Sequence, residues 1–291
     1  MDILEVKTPA KINLFLRVLG RRADQYHNIY SWFQAVSLYD ILTFENTSIP
    51  GIKLKTIGEY GDRIPVDDGN LIIRTARFIF REYRLGSGLK INLTKNIPVA
   101  AGMGGGSSDS AATIFAINQM YDLDLSVSDM KSLGAKFGSD IPFFFSGGQA
   151  EVTGRGEIID EIKLPLDYAI VLVIPNIAIS TTASYAGLKM ALTGRRDDVK
   201  LPEPKGFSDL VHLIRGVGND FEENHFQNYP VLNKIRAVLT DCGSILTRMS
   251  GSGPTVFGLF EKMPEKEDLN RLQKDDWKIY PVFPTAWPVA G

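Results

Sequence analysis

Apolar and polar residues alternate from Lys11 to Val18, with Ile12, Leu14, Leu16 and Val18 on one face and Lys11, Asn13, Phe15 and Arg17 on the other. That period of two predicts a half-buried β-strand on which Lys11 and Asn13 share a face, though alternation does not say whether the face is the inner one. Further strand-like runs cover Trp32 to Val36, Ile41 to Glu45, Ile52 to Thr56 and Leu89 to Thr94. Ile72, Ala76, Ile79 and Tyr83 recur at helical spacing, which predicts an amphipathic helix from Asn70 to Tyr83. A second helical pattern opens at Ser107, Ser108 and Asp109 and runs on through Ala111, Ala112, Ile114, Phe115 and Ile117. Ser126 and Asp129 stand at capping-box spacing, and GSDIPFFFSGGQAEVTG reads as a turn leading into a strand, with Asp140 at a helix start.

A strand pattern at Tyr168 to Ile174 opens a second layer. The charged, proline-rich segment from Thr193 to Gly206 predicts an exposed loop. Helical patterns follow at Phe207 to Ile214 and at Val231 to Asp241, the latter entered at Pro230. Strand, turn and strand run from Ile245 to Phe260, then a charged helix near Glu265 to Lys274 and a last strand near Lys278 to Phe283. Runs of strands with interspersed helices define an α+β class. A length of 291 residues suggests two domains, placed at 1–163 and 164–291.

Composition narrows the partners. A formal net charge of -2 lacks the basic excess of a nucleic-acid binder, so small molecules are the expected partners. The apolar run from Tyr168 to Pro175 is far shorter than the ~20 residues of a membrane helix, and MDILEVK lacks the apolar core of a signal peptide. The chain therefore reads as cytoplasmic and not membrane-bound. Its lone cysteine, Cys242, reads as a small packed residue, and no HExxH or CxxC spacing suggests a structural metal.

The stretch PVAAGMGGGSSDSAA, from Pro98 to Ala112, changes the picture most. Gly102, Gly104, Gly105 and Gly106 free the backbone to converge several N–H groups on one anion, and the following helix points its positive end at the same place. A strand before the loop and an alanine-rich helix after it make a phosphate cradle, not a flexible linker. No Gly-Lys-Ser/Thr closes it, so it is not a Walker A loop.

This loop resembles the second motif of the GHMP kinase superfamily, which includes galactokinase, homoserine kinase, mevalonate kinase and phosphomevalonate kinase. The opening segment from Lys7 to Asp40 and the triple glycine followed by SSD point further, to the isoprenoid-pathway branch, which phosphorylates the tertiary hydroxyl of a cytidine-diphosphate sugar alcohol. The resemblance implies an N-terminal domain of the ribosomal-protein type, a ferredoxin-like C-terminal domain and an active site between them. It implies ATP as donor, with Lys95, Pro98, Gly102, Met103, Gly104, Gly105, Gly106, Ser107, Ser108, Asn70 and Leu71 around the nucleotide. It also implies Mg2+, whose protein ligand is not legible: Ser108 offers a hydroxyl, and Asp109 either coordinates or complements the helix dipole.

Asp140 on sequence alone reads as a helix cap. The family's G-S-D-[IVL]-P-F motif instead places this aspartate at the acceptor hydroxyl as the proposed base, with Lys11 of P-A-K-I-N-L beside it to hold the carboxylate ionised. Gly251 and Ser252, in MSGSGPTVFGLF, resemble a third motif that packs on the phosphate loop and approaches the substrate, although a plain hairpin would look the same. Tyr26 and His27 match the pair that holds cytosine, with Gln25 where the family has glycine, and Tyr185 matches the aromatic closing over the base. Asn13 is grouped with the acceptor site, and Thr181 either contacts the acceptor or caps a helix. His212 and His225 carry no motif. A related kinase for homoserine or mevalonate would lack the Tyr26–His27 pair, and a ligand sensor would be expected to lose Lys11 or Asp140.

Overall fold

The computed structural model describes residues 3–188, 200–273 and 276–287. Two long antiparallel strands, β1 (Ile3–Arg21) and β2 (His27–Thr47), pair along nearly their whole length. On the other edge of β2, β3 (Gly51–Ile57) runs parallel to β4 (Gly88–Thr94), which pairs with residues 41–47. β5 (Gln149–Thr153) takes residues 31–34 of that edge and β6 (Ile158–Glu161) closes the six-stranded sheet.

The runs expected as separate strands, Trp32 to Val36 and Ile41 to Glu45, belong to the single strand β2. Their apparent break is a bulge: Pro9 opposes Tyr39 while Ala10 opposes Val36, and Ser37 N–H donates to the Phe283 carbonyl at 2.9 Å instead. A second bulge at Leu14 corrects the expected faces of β1. Asn13 opposes Phe33 and Phe15 opposes Trp32, so one extra residue inverts the side-chain parity. Phe15 joins Ile12 and Leu14 in the core, whereas Leu16 and Val18 turn to the side of Lys11 and Asn13.

Helix α1 (Leu71–Glu82) begins where the Asn70 side chain accepts from Ile72 N–H at 2.9 Å, and it buries Ile72, Ile73, Ala76 and Ile79. Tyr83, expected on that apolar face, follows the last turn and is 40% exposed. Helix α2 (Gly105–Met120) is buried on nearly every side and is the axis of this half. Its Ser110 hydroxyl meets Thr75 of α1 at 2.8 Å. Helix α3 (Val127–Ala135) carries the expected reciprocal capping box of Ser126 and Asp129.

The second half is a four-stranded antiparallel sheet in the order β10 (Lys278–Val282), β7 (Ala169–Ile174), β9 (Val256–Phe260), β8 (Leu246–Met249). It carries helices α4 (Thr181–Ala186), α5 (Phe207–Val217), α6 (Glu222–Asn228), α7 (Pro230–Asp241) and α8 (Lys266–Leu272). Neither β6 nor α6 was anticipated. Residues 200–206 of the expected loop are irregular, and its remainder, like Lys274, lies outside the described residues. Cys242 is packed as expected.

The two halves are not separate bodies. Ala10, Ile12, Leu14 and Phe15 of β1 share one core with Ile170, Leu172, Phe257 and Leu210 of the second half. Beyond β10 the chain returns to the first sheet, where Thr285 N–H donates to the Ala35 carbonyl and Trp287 Nε1 to the Lys7 carbonyl, at 2.9 and 2.8 Å. The segment after β10 thereby ties the second half to the first sheet.

Candidate active site

The glycine loop sits at this joint. Gly102 and Gly104 have φ of +75° and +69°, a region costly for side chains. A Cβ on Gly102 would lie 2.9 Å from the carbonyl oxygens of Ser250 and Gly253, and one on Gly104 would lie 3.0 Å from Lys11 Cγ. Thr255 Oγ1 donates to the Ala101 carbonyl at 2.6 Å, and Lys11 N–H donates to the Met103 carbonyl at 2.9 Å. The loop is thus clamped between β1 and the β8–β9 turn, which is the packing the third motif implied. No side chain caps α2 after Gly104. Its first N–H groups keep their positive end free for an anion.

Lys11 lies on the inner face of β1, with a side chain only 5% exposed. Its Nζ donates to Asn13 Oδ1 at 2.7 Å, stands 3.3 Å from Asp140 Oδ2, and lies 4.1 Å from the centre of the Phe33 ring. Asp140 is one-third exposed and looks into the cleft. It precedes the 3₁₀ turn Ile141–Phe145 but makes no side-chain bond to it, so the cap reading has no support. An ammonium this buried needs a charged partner, and among the described residues Asp140 supplies it.

A cleft of about 790 Å³ brings the reactive pair together with the residues expected around the acceptor: Asn13, Tyr26, His27, Thr181, Tyr185, Gly251 and Ser252. Gly102 and Gly104 also line it. His27 and Tyr185 stack at 4.7 Å with an interplanar angle of 19°. That separation leaves no room for a third ring between the two. Burial and then the nearby Arg21 push the His27 imidazole down, keeping it neutral at pH 7. Burial and then the Asp140 charge push the Tyr185 phenol up to about 12. Thr181 Oγ1 meets Ser252 Oγ at 2.9 Å, and α4 is capped by Ser180 instead. Gln25 adopts φ of +70°, the left-handed backbone that a glycine would take without strain.

The other residues expected around the nucleotide lie outside this lining. Leu71 approaches Gly106, which is exposed, and Ser107 is half-buried beside Gly138. Pro98 and Met103 are buried, Gly105 sits on Ile97, and the Asn70 side chain is spent on Ile72 N–H and the Pro65 carbonyl. Lys95 is 3% exposed and held between Asp40 at 2.5 Å and Asp109 at 2.6 Å. Its ammonium is committed to the scaffold. Burial pulls its pKa down, but the two carboxylates outweigh that and hold it up. Burial drives the Asp109 carboxyl up, against the pull of Lys95 and with the push of Asp40. Asp40 also accepts from the N–H groups of Asn96 and Ile97 at 2.6 and 2.9 Å.

Ser108 Oγ is buried, donates to the Pro9 carbonyl at 2.6 Å and touches Thr8 Oγ1. Asp109 spends Oδ2 on Lys95 and leaves Oδ1 buried without a partner. Among the described residues no three His, Cys, Asp or Glu side chains cluster as a metal site.

Several participants were missed. Asn219 holds the third turn by donating to the carbonyls of Met249 and Gly251 at 2.8 and 2.9 Å. Arg155 places its guanidinium 4.9 Å from the centre of the Tyr26 ring and lines the cleft. Phe33 forms the floor under Lys11. Only the glycine beside Asn219, and those flanking Arg155, hinted at tight turns.

Residues 70–148 match the GHMP kinases N terminal domain family and residues 200–278 the GHMP kinases C terminal family. The chain belongs to the GHMP kinase family. Within it, the chain is 35% identical over 285 residues to the 4-diphosphocytidyl-2-C-methyl-D-erythritol kinase of Syntrophus aciditrophicus, covering 96% of this chain and 99% of that one. It is 38% identical over 256 residues to the enzyme of the same name from Bacillus cytotoxicus, covering 88% of each. Among solved structures, a 4-(cytidine 5'-diphospho)-2C-methyl-D-erythritol kinase superposes with a TM-score of 0.77 at 30% identity, covering 97% of this chain and 99% of that one. A homoserine kinase from Cytophaga hutchinsonii superposes with a TM-score of 0.72 at 17% identity, covering 98% and 96%, which shows the shared fold.

Proposed function

We propose that this chain transfers the γ-phosphoryl group of ATP to the tertiary 2-hydroxyl of 4-diphosphocytidyl-2-C-methyl-D-erythritol. The observation that carries the reading is the Lys11–Asp140 pair at 3.3 Å, at the mouth of the glycine loop and in one cleft with the His27–Tyr185 stack. The named relatives act as kinases on that compound, and they match nearly the whole chain. Residues 1–163 would carry the phosphate loop and residues 164–291 the closing wall.

In this reading the loop amides and the start of α2 cradle the donor phosphates. Asp140 orients the acceptor hydroxyl and takes its proton as the oxygen attacks phosphorus and ADP leaves. Lys11, 3.3 Å from that carboxylate, holds it in place and offsets the charge developing on the transferred group. Magnesium bound to ATP would supply further charge neutralisation, held by phosphate and water. The pyrimidine would meet Tyr26, His27 and Tyr185, with Tyr185 moving off His27 or the base seating on the outer face of the stack. Arg155, on Tyr26, would face the anionic part of the acceptor. No helix among the described residues is long and apolar enough to cross a membrane, and we infer that the enzyme works in the cytoplasm. A coupled ADP-release assay over a panel of acceptor alcohols tests the assignment. Turnover of the cytidine diphosphate compound supports it, and turnover of mevalonate or homoserine in its place overturns it.

A further inference from the structure

Helix α4 is six residues long, too short to hold itself, and Ser184 is its one buried side chain. Yet it carries Thr181 and Tyr185, two residues that line the cleft. What holds it comes from α6. His225, 2% exposed, brings Nε2 to 2.8 Å from Ser184 Oγ. The same Ser184 hydroxyl also reaches the Ser180 carbonyl at 3.0 Å. The contact with His225 ties α4 to α6 whichever ring nitrogen carries the proton.

The same ring touches the opposite wall. It packs 5.9 Å from Phe221, whose ring meets Tyr185 edge-on at 4.9 Å and 89°. The Ser252 backbone lies close enough to favour the charged ring, although burial keeps it neutral. Ser252 is also the hydroxyl partner of Thr181. One imidazole thus bears on α4 and on the glycine turn that faces it.

We infer that His225 is a positioning residue for acceptor recognition: the hydrogen bond between its Nε2 and Ser184 sets helix α4 so that Tyr185 stacks on His27 and Thr181 meets Ser252. The inference rests on the substrate reading above for its kinetic arm, and on the geometry alone for its spectroscopic arm. The chain has three histidines, so the ring C–H signals of His27 are resolvable by proton NMR, and Tyr185 stacked at 4.7 Å must shield them.

The test compares the wild-type chain with His225→Phe, His225→Gln and Ser184→Ala. In His225→Phe, KM for the cytidine diphosphate acceptor should rise about tenfold, KM for ATP should stay within about twofold, and kcat should fall less than the acceptor KM rises. The His27 signals should lose their shielding in the apo protein. Glutamine, whose amide can donate to Ser184, should recover most of both effects. A folded His225→Phe chain with either the acceptor KM or the His27 signals unchanged overturns the inference. If that variant does not fold, Ser184→Ala decides, with loss of His27 shielding expected and its retention refuting. Should the wild type not phosphorylate the cytidine compound, the substrate reading fails, and the NMR comparison still judges the latch by itself.

Discussion

Replacing Asp140 by asparagine separates catalysis from architecture, because the amide keeps the size of the side chain and can still accept from Lys11 but cannot take a proton. Unit charges 3.3 Å apart attract by about 5 kcal/mol at an effective dielectric constant near 20. That gross figure overstates the loss, because Asp140 is one-third exposed and Lys11 keeps Asn13 and the Phe33 ring. The expected loss of folding stability is about 1 kcal/mol or less. Loss of acid–base function, by contrast, should lower kcat by about 10²- to 10⁴-fold, or roughly 3–5 kcal/mol of barrier, with KM little changed. ADP release with saturating acceptor measures the fall in kcat, and a thermal melt measures the loss of stability. A helix cap would also cost about 1 kcal/mol of stability but would keep activity, so kcat decides between the two. A kcat within about tenfold of the wild type would refute the role given to Asp140.

Lys11→Met should slow the same step, and combining it with Asp140→Asn should cost no more than the worse single change; additive losses in kcat would show that the two act separately. Gly104→Val should abolish ATP binding by calorimetry, and because its Cβ also strikes Lys11 and the φ of +69° strains a β-branched residue, stability should fall as well; unchanged ATP affinity would remove the loop as the cradle. His27→Ala should narrow the preference for the cytidine substrate over its uridine analogue, chiefly by weakening the former, since a stacked base is worth roughly 1–3 kcal/mol and an unmet hydrogen-bonding edge costs further discrimination. Equal rates on both analogues by the wild type would discard the pyrimidine role of His27.

What the chain's order of residues determined by itself was everything set by neighbours in sequence. The Ser126–Asp129 box, the amphipathic face of α1 and the flexible glycines of the phosphate loop need only residues a turn apart, so they were legible. The motifs that resemble known kinases then named Lys11, Asp140, Tyr26, His27 and Tyr185, and the fold gathers these into one cleft. What tertiary structure alone decided was which way those residues point and what they spend their polar atoms on. The Leu14 bulge turned Leu16 and Val18 to the side of Lys11, an outcome that a strict period of two cannot encode. Lys95 belongs to a buried trio because Asp40, far away on β2, meets Asp109 of α2 beneath the loop. His225, without a motif, gained its bond to Ser184 from the packing of α6 against α4. Local hydrogen bonds and periodicity act between residues whose separation the chain already dictates, whereas the partner of a buried charge or imidazole depends on where distant strands and helices come to rest, which the whole core decides together.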